Sequence, residues 1–149
     1  MMSGGLSSER ELTVEWGHCD ASGIVFYPRY YEWMDASTHL LLSRVGLDHH
    51  TLRRVHGLLG TPLVQTTARY ASPATFGDML KVCSRIARVG LSSFTVAHRF
   101  DAGDRLVASG EEVRVWARDD TSEGGPPRPK AIPIPDAVRA LLWPGASDP

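Results

Sequence analysis

A chain of 149 residues can hold one domain with a real core and is too short for two ordinary ones. Its composition is 42% hydrophobic and 22% charged with a net charge of −1, which leaves no basic footprint for nucleic acid or an anionic membrane surface. The two cysteines, Cys19 and Cys83, show no CxxC or Cys/His spacing, so no metal site is expected, and nothing points to the secretion that would favour a disulfide.

Residues 1–10 read as a disordered lead-in without an apolar signal core. Residues 12–16 alternate apolar and polar, which predicts a strand burying Leu12, Val14 and Trp16. A short polar loop follows with a lone acid, Asp20, and then an apolar patch, Gly23 to Phe26. Pro28 opens a helical pattern that runs to Val45, since proline suits the first helical position, where its missing N–H would have no partner. Tyr30, Met34, Ser37, Leu41 and Val45 recur at helical spacing, and Tyr31, Thr38 and Leu42 widen the stripe. Gly46 is placed to end the helix, and Asp48 to cap a short second helix over residues 49–55.

Gly57 and Gly60 return the chain to extended structure, with Pro62 suited to a strand start. Four strands are predicted next, over residues 63–71, 79–88, 93–100 and 105–117, the last bulged at Gly110. Phe94, Val96, His98 and Phe100 share one face of the third, and the Asp101–Asp104 stretch reads as a hairpin loop. Short turns between successive strands demand antiparallel pairing. Residues 119–130 form a polar Gly/Pro loop, Ile132 and Ile134 a last extended piece, and Asp136 caps a helix over 137–142. One domain is expected over residues 11–143, with a frayed tail at 144–149. No run approaches the ~18 apolar residues of a membrane span, so a cytoplasmic protein without membrane contact is expected. One strand, one long helix and four antiparallel strands make an α+β order in which a five-stranded sheet wraps around the helix.

The residues carry their own chemistry. Asp20 lies a few residues before a helix N-terminus, where free N–H groups favour negative charge and can hold an oxyanion. The bland reading is an Asx-turn in a loop. None of the serines lies in a G-x-S-x-G elbow, which leaves a carboxylate with oriented N–H donors as the candidate chemistry. His18, two residues before Asp20, is a candidate dyad partner; His98 reads as a satisfied buried histidine. Asp35 is either a flank acid paired across an interface or a reader of a substrate hydroxyl.

The string GHCDASGIVFYP at residues 17–28, with Tyr31, Trp33 and Asp35, resembles the signature of the 4-hydroxybenzoyl-CoA thioesterase family. The resemblance returns at GLLGTP, residues 57–62, and at RPKAIP, residues 128–133, and spans about residues 10–135. It implies a hotdog fold and an acyl-CoA thioesterase acting on aromatic acyl groups, with an aliphatic acyl-CoA thioesterase or a non-catalytic acyl-CoA binder as alternatives. By that resemblance Asp20 falls on the catalytic carboxylate, nucleophile or general base, the backbone N–H of Tyr27 polarises the thioester carbonyl, and Thr61 lies near the thioester. Asp35 falls on an acid that reaches the substrate's ring hydroxyl from the partner subunit. Ser93 and Lys130 fall on contacts to the coenzyme A phosphates, and Arg128, two residues before Lys130, is a further candidate for them. The family's paired arginines before Ser93 are replaced by Gly90 and Leu91, with Arg88 as the compensating candidate. The resemblance further implies a homodimer or homotetramer with active sites at the dimer interface, and no cofactor beyond the coenzyme A of the substrate.

Overall fold

The structure, a computed structural model, describes residues 4–145; most of the expected frayed tail lies outside the described residues. Its main sheet has five antiparallel strands in the spatial order β1-β4-β5-β6-β3, where β1 is Ser7–Thr13, β3 Leu63–Tyr70, β4 Met79–Val89, β5 Ser93–Ala102 and β6 Arg105–Val115. The long helix α1, Pro28–Ser43, lies against one face of it, with Tyr30, Trp33, Met34, Ser37, Thr38, Leu41 and Leu42 buried. Asp48 caps the short α2, His49–Arg54, by accepting from the Thr51 N–H at 3.1 Å. None of the described helices is long and apolar enough to cross a membrane.

Several expectations are corrected. Residues 7–10 belong to β1 and are not a lead-in. Arg10 occupies an inward position and stays satisfied there, its Nε donating to Ser37 Oγ at 2.8 Å and Nη2 to the Trp33 carbonyl at 3.1 Å. Trp16 is not in a strand but in a 3₁₀ turn, Trp16–His18, 77% exposed, its ring edge-on to Phe76. Gly110 carries no bulge: a Cβ there would stand 2.5 Å from Met34 Sδ and 2.6 Å from the Thr67 carbonyl, so glycine lets the helix seat on the sheet. A second, three-stranded sheet was not expected: β2, Leu58–Gly60, β7, Ala117–Asp119, and β8, Pro129–Ala131, so the last extended piece precedes Ile132. Asp136 is the first residue of α3, Asp136–Leu142, and not its cap; Pro135 holds the cap position, with no side-chain cap hydrogen bond.

The core divides in two along α1. Around its first half pack Val14, Val25, Tyr30, Trp33, Met34, Leu80, Val82 and Phe100. Around its second half pack Leu41, Leu42, Leu52, Ile86, Phe94, Val96, Trp116 and Leu142. Thr38, Ser84 and His98 fall between the two halves, and with Glu112 and Arg114 they form a buried polar belt.

Candidate active site

The Asp20 loop is built by backbone pairing. The Asp20 N–H donates to the Ile24 carbonyl and the Gly23 N–H to the Asp20 carbonyl, both at 2.9 Å. Gly23 takes φ +81°, which a side chain would resist. Val25 and Ile24 anchor the loop to the 74–75 segment through the Val25 N–H to the Ala74 carbonyl and a bridge between Ile24 and Thr75. The exposed Asp20 carboxylate accepts from the Ser22 N–H at 2.8 Å through Oδ1, an Asx-turn, while Oδ2 meets no donor among the described residues. The bland turn and an available oxygen therefore coexist in one side chain.

Tyr27 stands at the cap position of α1, directly before Pro28. The Phe26 N–H donates to the His18 carbonyl and the Arg29 N–H to the Phe26 carbonyl, yet among the described residues the Tyr27 N–H has no acceptor. It is an open donor at a helix start, the position at which a developing negative charge is favoured. His18 forms no hydrogen bond with Asp20. Its Nδ1 accepts from the Glu15 N–H at 2.9 Å, and its ring sits edge-on to Trp33 with centroids 5.1 Å apart. The histidine is thus spent on fixing the loop, with Nε2 meeting no partner among the described residues.

Thr61 lies between β2 and β3, buried, with an Oγ1 that has no partner among the described residues. Its carbonyl accepts from Arg114 Nη1 at 3.0 Å. Asp35, on α1, accepts from Arg114 Nη2 at 2.6 Å and has His39 Nε2 at 3.5 Å, its side chain half-exposed. Arg114 also donates to Glu112, from Nη2 at 2.8 Å and Nε at 3.3 Å. Thr38 Oγ1 donates to Glu112 Oε1, His98 Nε2 lies 3.2 Å from the same oxygen, and His98 Nδ1 is 2.8 Å from Ser84 Oγ. Burial opposes the Glu112 charge, but hydrogen bonds from His98, Arg114 and Thr38 outweigh it and bring the carboxyl down to about 2. Burial likewise works against the charge on Arg114, and its pairing with Glu112 and Asp35 raises its pKa in spite of that.

The expected coenzyme A contacts are not gathered around Asp20. Ser93 opens β5 and its carbonyl closes a tight turn with the Gly90 N–H at 2.7 Å. Arg88 is exposed on β4, and Lys130 lies on β8 directly across from Arg118 on β7. Arg128 precedes β8, its carbonyl accepting from the Asp120 N–H. At the turn where the resemblance expects arginines, the guanidinium present is that of Arg139 on α3, which donates to the Gly90 carbonyl at 2.9 Å. Sequence reasoning missed Arg118 and Arg139, and it missed the Glu112–Arg114 pair. A signal for that pair was the presence of two opposite charges at i and i+2 of one predicted strand, on a single face.

Two clefts stand out. One of about 930 Å³ lies on the sheet face turned away from α1, lined by Glu9, Arg69, Cys83, Arg85, Arg99 and Glu111, and holds none of the expected site residues. One of about 350 Å³ adjoins the start of α1, lined by Ile24, Tyr27, Tyr30, Tyr70 and Pro73 among others. The smaller bears on the chemistry because it contains the Tyr27 position. Burial raises the Tyr30 phenol to about 12, and burial with the neighbouring Tyr31 does the same for Tyr70, so both remain neutral hydroxyls.

The model of the thioesterase-like superfamily matches residues 14–142. The chain is 32% identical to the 4-hydroxybenzoyl-CoA thioesterase of Pseudomonas sp. (strain CBS-3) over 128 residues, 82% of this chain and 87% of that protein. The solved structure of the Pseudomonas enzyme superposes with a TM-score of 0.81 at 30% identity, covering 91% of this chain and 99% of that one. A gentisyl-coenzyme A thioesterase structure gives a TM-score of 0.74 at 33% identity, covering 91% and 98%. A 1,4-dihydroxy-2-naphthoyl-CoA hydrolase of Synechococcus sp. (strain WH7803) is 28% identical over 144 residues, 91% of this chain and 90% of that protein.

Proposed function

The chain belongs to the thioesterase-like superfamily of hotdog-fold thioester hydrolases, and from that premise we propose that it cleaves a hydroxylated aromatic acyl-CoA to the free acid and coenzyme A. The observation that carries the reading is the pairing of an open donor with an available acceptor in one loop: the Tyr27 N–H at the start of α1 and Asp20 Oδ2 seven residues before it. All three relatives are named for hydroxylated aromatic acyl groups on coenzyme A, which favours that class over aliphatic thioesters.

The chemistry then runs in one of two balanced ways. As a general base, Asp20 takes a proton from water, and the water oxygen bonds to the thioester carbon. As a nucleophile, Asp20 bonds to that carbon itself, coenzyme A thiolate departs, and water cleaves the resulting anhydride. In both, the carbonyl oxygen becomes an oxyanion that accepts from the Tyr27 N–H, and the carbon–sulfur bond breaks as the tetrahedral species collapses. Thr61 Oγ1, buried and without a partner among the described residues, offers a hydroxyl to the thioester, and Asp35 reads the ring hydroxyl from the partner subunit. His18 shapes the substrate side of the loop. Ser93, Arg88, Arg128 and Lys130, with Arg118 opposite Lys130, meet the coenzyme A phosphates.

The enzyme works in the cytoplasm as a homodimer or homotetramer with sites at the dimer interface and needs no cofactor. Support for assembly comes from β3, an edge strand of eight residues with Leu63, Val64 and Tyr70 exposed. Free-thiol release across a panel of aryl- and alkyl-CoA thioesters tests the substrate class. Preference for 4-hydroxybenzoyl- or gentisyl-CoA over octanoyl-CoA is the expected result, and the reverse order overturns it. Light scattering that shows a monomer at micromolar concentration would overturn the shared-site arrangement.

A further inference from the structure

We propose that Arg114 is a positioning residue for this site, holding the Thr61 loop and the Asp35 turn of α1 at one fixed spacing. For its effect on turnover the inference rests on the thioesterase reading above; the clamp itself stands on geometry.

The Arg114 guanidinium is used in four directions at once. Nη1 donates to the Thr61 carbonyl at 3.0 Å, Nη2 to Asp35 Oδ1 at 2.6 Å and to Glu112 Oε2 at 2.8 Å, and Nε to Glu112 Oε1 at 3.3 Å. Only a planar fork can do this; a lysine ammonium is a single point of charge. The guanidinium cannot turn, because Glu112 is itself held by Thr38 Oγ1 and by His98 Nε2, and His98 by Ser84 Oγ. All four of these footing groups are buried in the polar belt.

At the other end, the clamp finishes in two oxygens with capacity to spare. Thr61 Oγ1 is buried without a partner, and Asp35 Oδ2 meets no donor among the described residues. Arg114 therefore takes one oxygen of Asp35 and the carbonyl of Thr61, and leaves one oxygen of each residue to the substrate. A buried ion pair is a weak device for stability, since apolar side chains of similar volume often serve as well or better. It is a strong device for register, and a site loses rate when its groups shift by even a fraction of an ångström. The ring-hydroxyl preference assigned to Asp35 is thus set in part by a residue that does not touch the substrate.

The test uses the full chain with Arg114→Lys, which keeps a positive charge beside Glu112 and removes the fork. Hydrogen exchange of the 60–63 backbone and of the α1 turn around Asp35 should quicken by about tenfold, while exchange in the remainder of the helix stays as it is. The kcat/KM ratio for 4-hydroxybenzoyl-CoA over benzoyl-CoA should fall at least ~5-fold, and the double variant Arg114→Lys/Asp35→Ala should lose no more than Asp35→Ala alone, as expected when two residues act as one. If Arg114→Lys fails to fold, the neutral pair Glu112→Gln/Arg114→Gln carries the same two readouts. Unchanged exchange at 60–63 overturns the clamp. So does a preserved ratio in the folded variant, or a loss that adds to that of Asp35→Ala. Should the unaltered enzyme release no thiol from either thioester, the substrate reading fails, and the exchange data alone decide the clamp.

Discussion

The Asp20 loop and the buried belt around Arg114 are both polar, and they treat their polar atoms in opposite ways. In the belt each side chain has its partners: Glu112 takes hydrogen bonds from Thr38, His98 and Arg114, and Arg114 spends itself on Glu112, Asp35 and Thr61. In the loop the backbone is paired while the Tyr27 N–H and Asp20 Oδ2 are left open. Satisfied polar groups fix geometry, and open ones are free to meet a substrate. The comparison predicts that damage to the belt will register as lost stability and, through Asp35, as altered substrate preference, and damage to the loop as lost turnover.

The largest effect should come from Arg114→Met, which strands the Glu112 carboxylate in the core. The expected cost is about 3–5 kcal/mol, seen as a lower denaturant midpoint. If the midpoint hardly moves, the belt is not the closed unit described. Acid should probe the same pair. The folded Glu112 carboxyl lies near 2, below its ordinary 4.5, so its contribution is fully present above about pH 4.5 and is lost as pH falls toward 2. That loss is on the order of 3 kcal/mol, and Glu112→Gln should flatten this part of the stability–pH curve.

Next in size, Asp20→Asn should cut turnover at least ~100-fold, the lower end of a general-base contribution. Its melting temperature should hardly change, because asparagine Oδ1 can still accept from the Ser22 N–H. A folded variant that keeps more than about a tenth of wild-type turnover would move suspicion to His18, whose Nε2 is unspent. The smallest effect belongs to Asp35→Ala, at the half-exposed outer end of the belt. It should reduce kcat/KM about tenfold more for 4-hydroxybenzoyl-CoA than for benzoyl-CoA, the scale of one lost hydrogen bond to a charged group. Equal losses on both would remove Asp35 from substrate choice.

The loop side of this contrast was the legible one in the sequence. The Asx-turn at Asp20, the Pro28 helix start, the Asp48 cap and the Phe94–Phe100 face all follow from local rules about turns, caps and period, and each stands in the structure; the catalytic reading of Asp20 comes from the resemblance. Of the belt, His98 and Thr38 were legible as buried, but Glu112 and Arg114 were not, because period-two reasoning on residues 111–115 (EEVRV) would turn the valines inward. Glu112 and Arg114 point inward instead, a choice made by His98 and Thr38 far away in the chain. For the same reason β1 was expected too late: its inward positions are Ser8, Arg10 and Leu12, and Arg10 is acceptable only because Ser37 and the Trp33 carbonyl receive it. Strands as short as β2, β7 and β8 have too few residues to show any period.

The strand order β1-β4-β5-β6-β3 also fixes a sequence of events in time. The hairpins β4-β5 and β5-β6 join neighbours in the chain, whereas Ser7 must find Arg85 and Thr67 must find Glu111. As the chain leaves the ribosome, α1 is complete while the sheet that will cover its apolar stripe has yet to be made. The central hairpins should form first and give α1 its seat, with β1 and β3 zipping on afterwards because they must close the long loops. Until that happens the helix carries an uncovered stripe of Tyr30, Trp33, Met34 and Leu41, the kind of transient apolar surface that favours aggregation.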